Sequence, residues 1–296
     1  MASGERVLVT GASGGLGRAV VPALVEHGYD VVAADRIRAK EPLPDGAGFV
    51  EVDLGDVGQV AGAAAGCDTV VHLGAIPAPY AHPDEVVFRN NTGATFAVFQ
   101  AASLLGIRWM AFASSVSAYG SAWAKEAFPP VYVPVDEAHP MLNHDAYGLS
   151  KEVDERTAEM FSRRDGMSVA ALRFHWIGSR EEQIGLAARH RAEQEWAESI
   201  RTMWGYVDLH DAARACRLAI EACRDGAFGF EAFNIVAADT LIDEPTEAMI
   251  REHAPSTEIR ATLSGNAGAY DIAKAKRLLG WEPIHSWRDK AAETGN

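Results

Sequence analysis

The chain has 296 residues, 48% of them hydrophobic and 23% charged, with a formal charge of −14. That acidic balance argues against broad binding to nucleic acid or to anionic membranes, which needs clustered Lys and Arg. No apolar run reaches the ~18 residues of a membrane-spanning helix, and at roughly 150 residues per domain the length suits about two structural units.

The opening Met1–Arg6 runs directly into strand-like Val7-Leu8-Val9, so no room for a signal peptide is expected. Strands are predicted at Arg6–Thr10, Asp30–Ala34, Gly48–Val52, Thr69–Leu73, Trp109–Ala113 and Ser168–Phe174. Helical patterns alternate with them at Leu16–His27, Val57–Ala65, Gly93–Leu105 and Ala146–Arg163. Such alternation predicts an α/β fold, a Rossmann-type parallel sheet with helices on both faces. Beyond Gly178 the pattern predicts helices at Arg180–Arg201, Asp208–Cys223, near Asp243–His253 and at Asp271–Leu279, with a strand at Ala232–Val236. The reading divides the chain into a cofactor-binding part, 1–175, and a small substrate-binding part, 176–296, intertwined with it. Cys67, Cys216 and Cys223 are odd in number and have no ligand spacing, which points to a reducing, cytoplasmic compartment. The histidines show no grouping that would hold a metal.

Between the first strand and first helix lies Thr10-Gly11-Ala12-Ser13-Gly14-Gly15-Leu16-Gly17. Glycines at 11, 14 and 17 permit a tight turn, close approach of backbone N–H groups to a pyrophosphate, and close helix–strand packing. Asp35 closes the second strand, where a carboxylate accepts the adenosine-ribose hydroxyls and repels a 2′-phosphate, favouring NAD over NADP. Arg36 and Arg38 would stack on adenine, receive such a phosphate, or simply stay solvated. Asp53 would take the adenine amino group or cap a helix.

Tyr147 and Lys151 are four apart on a predicted helix and share a face. An ordinary tyrosine, with a pKa near ~10, is a poor base at neutral pH; a neighbouring ammonium favours its phenolate. Ala113-Ser114-Ser115-Val116-Ser117 follows the fifth strand, at the sheet edge where open α/β folds bind ligands.

With these motifs in order, the chain resembles the extended short-chain dehydrogenase/reductases, the NAD-dependent epimerase/dehydratases. The resemblance rests on the glycine turn, Asp53-Leu54, His72-Leu73-Gly74-Ala75, Asn91 with Thr95, Ser115, Tyr147/Lys151, Tyr206-Val207-Asp208 and Leu279-Gly280-Trp281-Glu282-Pro283. It implies Ser115, Tyr147 and Lys151 as the catalytic set. The NAD site it implies is Gly11, Ser13, Gly14, Gly15, Leu16, Gly17, Asp35, Arg36, Asp53, Leu54, Leu73, Gly74, Ala75, Asn91 and Lys151. A homodimer would pair helices matching Gly93–Leu105 and Ala146–Arg163. Ala94 departs from the family's usual glycine.

Within the family, Val116-Ser117 replaces the Asp-Glu pair of a sugar-nucleotide dehydratase, which removes the acid and base of an elimination. The segments Cys67–Ile76 and Ile177-Gly178-Ser179, with a compact C-terminal part, look most like uronate dehydrogenases. The expected function is therefore NAD-dependent oxidation of a free sugar or sugar acid at the anomeric carbon. A nucleotide-sugar 4-epimerase is the alternative; a dinucleotide sensor without chemistry stands behind it. Substrate contacts are expected from Ile76, Pro77, Ser115, Val116, Ser117, His175 and Ser179, with Arg189 and Arg191 as partners for a carboxylate. Pro77 and Val116 stand where the uronate enzymes place Ser and Asn, which makes the pocket less polar.

Overall fold

The computed structural model describes residues 4–289. Residues 1–3, with which the signal-peptide reading begins, and 290–296, the end of the expected second part, lie outside that range. The first half comprises β1 (Arg6–Thr10), α1 (Gly15–Glu26), β2 (Asp30–Asp35), β3 (Ala47–Glu51), α2 (Val57–Ala64), β4 (Thr69–His72), α3 (Asp84–Leu104) and β5 (Trp109–Ser115). Then follow β6 (Tyr132–Val133), α4 (Ala146–Asp165), β7 (Ser168–Phe174), β8 (Ile177–Gly178), α5 (Arg180–Glu193) and α6 (Trp196–Ser199). The remainder is β9 (Val207–Asp208), α7 (Leu209–Arg224), β10 (Phe230–Ile235), α8 (Thr246–His253), β11 (Glu258–Ile259) and α9 (Ala273–Leu279).

Seven strands form one parallel sheet in the order β10-β7-β5-β4-β1-β2-β3. Its strands are apolar on both faces because helices cover both. Val7, Val9, Val31 and Ala33 face one core with α1 and α7. Leu8, Val32, Ala34 and Met110 face the other with α2, α3 and α4. The chain leaves β3 at one sheet edge and re-enters beside β1 as β4, so the strand order reverses between β1 and β4. Their C-terminal ends open a crevice there, the place where such sheets bind ligands.

The chain crosses the expected division near residue 175. β10 pairs with β7 in register Phe230↔Val169 to Ile235↔Phe174, and Cys216, Ala219, Ile220 and Cys223 of α7 belong to the first core. Trp281, fully buried, joins that core and donates its indole N–H to the Asp211 carbonyl at 3.0 Å. A separate apolar cluster gathers Ile200, Met203, Trp204, Met249, Ile250 and Tyr270.

The helices expected near Asp243–His253 and at Asp271–Leu279 begin two or three residues later, and two others differ more. α3 begins at Asp84 rather than Gly93: Thr92 returns its hydroxyl to the Phe88 carbonyl at 2.8 Å, and Asn91 is held across the helix by tertiary bonds. Asn-Asn-Thr-Gly has turn chemistry in sequence, and tertiary contacts override it. α5 ends at Glu193, not Arg201, because Gln194 takes a left-handed conformation at φ 49°. Burial of Ile200, Met203 and Trp204 pulls the chain inward there.

Candidate active site

The glycine turn is built by contact. A Cβ at Gly17 would lie 2.2 Å from the Gly11 carbonyl oxygen, and one at Gly11, where φ is +68°, 2.6 Å from the Gly74 nitrogen. Those two positions exclude any side chain. Gly15 has open space instead, which leaves the N-terminus of α1 accessible. A Cβ at Gly74 would lie 2.2 Å from Leu54 Cδ1, so the two sequence-predicted residues pack on each other.

Asp35 ends β2 beside this turn. It accepts the Ser13 N–H at 3.0 Å on one oxygen and the Arg36 N–H at 2.7 Å on the other, while the Ser13 hydroxyl accepts the Ala39 N–H at 3.0 Å. The Arg38 guanidinium lies over the Phe49 ring, 5.3 Å from its centroid. Asp53 is exposed and accepts the Gly55 N–H at 3.0 Å. It does not cap α2; Asp56 does, through Gly58 and Gln59 N–H groups at 2.8 and 3.1 Å. Asn91 brackets Ile76, accepting its N–H at 2.8 Å and donating to its carbonyl at 3.1 Å, and so fixes the segment after β4.

Ser115 is the last residue of β5 and accepts the Ser117 N–H at 3.0 Å. Tyr147 lies in the first turn of α4, which Asp145 caps by accepting the Gly148 N–H at 2.8 Å. Gly148 lets the helix abut the turn after Ser115: a Cβ there would lie 2.6 Å from the Ser117 carbonyl oxygen. Lys151 donates to the Ala113 carbonyl at 2.8 Å, and its Nζ is 5.7 Å from the centroid of the Tyr147 ring. All three side chains are buried and border one cavity of about 1030 Å³.

That cavity brings together most of the predicted residues. Gly11, Gly14, Gly15, Leu16, Gly17, Leu73 and Ala75 form one end; Pro77, Val116, Ser117 and His175 join the catalytic candidates. Ser13, Asp35, Arg36, Asp53, Leu54, Gly74, Ile76 and Asn91 lie outside its wall. Ser179 also lies outside, because its hydroxyl caps α5 on the Glu182 N–H. Arg189 borders the cavity, whereas Arg191 turns to Asp243, its Nε donating at 2.8 Å.

His175 accepts the Trp176 N–H on Nδ1 at 2.7 Å, leaving Nε2 to donate to the Thr202 carbonyl at 2.9 Å. Burial pushes its pKa down to about 4, so it is a neutral wall group. Sequence reasoning missed Tyr80, Trp123, Lys125 and Arg201 in the lining. Tyr80 and Trp123 meet edge-on at 5.6 Å, and Trp123 donates to the Ser117 hydroxyl at 3.0 Å. Aromatic residues in irregular, proline-bearing segments were the only signal. Among the described residues no group of three His, Cys, Asp or Glu could hold a metal, and no helix is long and apolar enough to cross a membrane.

Comparison with known proteins extends over the whole architecture. The chain is similar to a UDP-glucose 4-epimerase of Corynebacterium glutamicum, 25% identical over 95% of this chain and 92% of that protein. It is similar to an L-arabinose 1-dehydrogenase (NAD(P)(+)) of Haloferax volcanii, 31% identical over 73% of this chain and 83% of that one. The solved structure of MoeE5 in complex with UDP-glucuronic acid and NAD is 26% identical, with a TM-score of 0.69 over 96% of this chain and 95% of that one. Residues 7–235 match the description of one family throughout. The chain belongs to the NAD dependent epimerase/dehydratase family.

Proposed function

We propose that this protein is an NAD-dependent dehydrogenase that oxidises a hydroxyl of a free sugar or sugar acid, such as the anomeric hydroxyl of a hexuronate. The observation that carries the reading is the meeting of Ser115, Tyr147 and Lys151 in one cavity with the glycine turn. The turn fits a dinucleotide: Gly11 and Gly17 are crowded by backbone, while Gly15 leaves the start of α1 open to a pyrophosphate. Gly14, Gly15 and Leu16 would hold the phosphates, and Asp35 the adenosine ribose. Leu73 and Ala75 would border the nicotinamide half.

NAD, when bound, would supply the hydride acceptor for the substrate carbon. Tyr147 takes the proton of the substrate hydroxyl as general base, and Ser115 hydrogen-bonds the same oxygen. Lys151 favours the phenolate by its charge and would reach the nicotinamide ribose. Arg189, on the cavity wall, is the candidate partner for a substrate carboxylate. The similarity to an L-arabinose 1-dehydrogenase supports the free-sugar reading.

A 4-epimerase is the second reading, and one observation favours it. The epimerase relative matches nearly end to end, so a smaller C-terminal part does not set this chain apart from such enzymes, contrary to expectation. A homodimer through α3 and α4 is part of the proposal, supported by Phe96, Leu104 and Leu149 standing exposed on those helices. The three cysteines are free, which supports a reducing, cytoplasmic setting.

The deciding experiment incubates the protein and NAD with free uronic acids, aldoses and UDP-sugars, and follows NADH. Net NADH from a free sugar or sugar acid supports the dehydrogenase. Interconversion of a UDP-hexose without net NADH overturns it in favour of the epimerase.

A further inference from the structure

Asp154 lies one turn beyond Lys151 on α4 and is 1% exposed. Its carboxylate faces the Lys151 ammonium at 3.6 Å, an ion contact longer than a hydrogen bond. Neither carboxylate oxygen has a partner within hydrogen-bond distance among the described residues, and the Lys151 ammonium and the Thr95 hydroxyl are its polar neighbours. A buried carboxylate in that condition lowers stability, and an apolar side chain would fill the place at less cost. What the carboxylate does gain is proximity to the lysine beside Tyr147.

Among the neighbouring charged groups Lys151 stands closest to Asp154, and the Thr95 hydroxyl adds a further polar neighbour that favours the carboxylate. On α4, Glu155 is taken by Arg173 at 2.7 Å. From α3 comes Thr95, whose hydroxyl is 3.3 Å from His72 Nε2; from β4 comes His72, whose Nδ1 is 2.7 Å from the Thr10 hydroxyl. Burial pushes the His72 pKa down to about 3, with Lys151 adding to the shift, so the ring is neutral. β5 contributes only the Ala113 carbonyl that receives the Lys151 proton. Burial pushes the Asp154 carboxyl up to about 6, with the Lys151 ammonium and the Thr95 hydroxyl opposing.

We propose that Asp154 is a positioning residue for the acid–base pair: as the buried counter-charge of Lys151, it sets how far the ammonium favours the Tyr147 phenolate. The proposal rests on the reading of Tyr147 as the base. An ionised Asp154 offsets part of the ammonium's field at the phenol. The Ala113 carbonyl keeps Lys151 in place when that charge is removed.

The test is Asp154→Asn, which keeps the shape and removes the charge, with Asp154→Ser as a second neutral variant. Tyrosinate absorbance is titrated in each protein and in the same protein carrying Tyr147→Phe, so that the difference reports Tyr147 without substrate or cofactor. The Tyr147 midpoint is expected to fall by about one pH unit in both variants, a tenfold rise in phenolate at a given pH. The acidic limb of kcat/KM moves down with it, and the thermal midpoint of Asp154→Asn stays level or rises. A midpoint that stays within about 0.2 unit of wild type, or rises, overturns the proposal. Turnover retained by Tyr147→Phe removes the base reading itself. An inactive Tyr147→Phe with an unmoved midpoint removes only the role of Asp154.

Discussion

Arg173 of β7 and Glu155 of α4 meet as a buried bidentate pair, Nε to Oε1 at 2.9 Å and Nη2 to Oε2 at 2.7 Å. Ser114 donates to Glu155 Oε1 at 2.6 Å, and Arg173 also reaches the Tyr119 hydroxyl at 2.9 Å. Glu155 thus ties the helix bearing Tyr147 to β7 through Arg173 and, through Ser114, to the strand end bearing Ser115. Removing one partner strands a buried charge, so Arg173→Met is expected to cost about 3–5 kcal/mol. Arg173→Met with Glu155→Met is expected to cost less than the single change, because no charge is left alone. Urea unfolding of both variants checks this, and a double variant worse than the single one contradicts it.

The crowding of Gly17 by Gly11 gives a second prediction. Gly17→Ala must displace backbone and is expected to destabilise the fold by about 1–3 kcal/mol and to weaken NADH binding at least tenfold. Gly15→Ala meets open space and is expected to leave stability within about 0.5 kcal/mol. Fluorescence titration with NADH and thermal unfolding of the two variants separate them.

Acid should destabilise the protein through its buried histidines. His72 and His175 have pKa values held by burial at about 3 and about 4, well below the ordinary value of 6.5. Below that value the unfolded chain binds protons that the folded protein refuses. Their contribution is therefore complete above pH 6.5 and is lost as pH falls towards the folded values. Each histidine adds a slope of about 1.4 kcal/mol per pH unit in that window. His72→Gln is expected to flatten the fall in stability between pH 7 and 5 by about one proton's worth. An unchanged slope in urea unfolding across that range contradicts it.

Much of the fold could be read because its signals are local. The strand–turn–helix at Thr10–Gly17 is fixed by glycines whose spacing is visible, and the start of β7 by the apolar run Val169–Leu172. The same holds for Tyr147 and Lys151, since helical periodicity alone puts them on one face. Features set by distant contacts were not legible. Nothing local in Glu193–Glu195 shows that Trp196 and Trp204, edge-on at 6.2 Å, draw the chain inward and stop α5. Asp154 is visible three residues from Lys151, but its burial depends on α3 and β4. Tyr80 and Trp123 come from separate irregular segments that only the tertiary fold unites.

The central claim is that Tyr147 is the base in a cavity shared with the NAD-binding turn, and Tyr147→Phe tests it most directly. The variant keeps the ring and loses only the hydroxyl, so NADH affinity should stay within about threefold of wild type. Turnover of the responding sugar should fall by at least about 10²-fold, the lower range of general-base contributions. Turnover within a few-fold of wild type, with NADH still bound, would contradict the account.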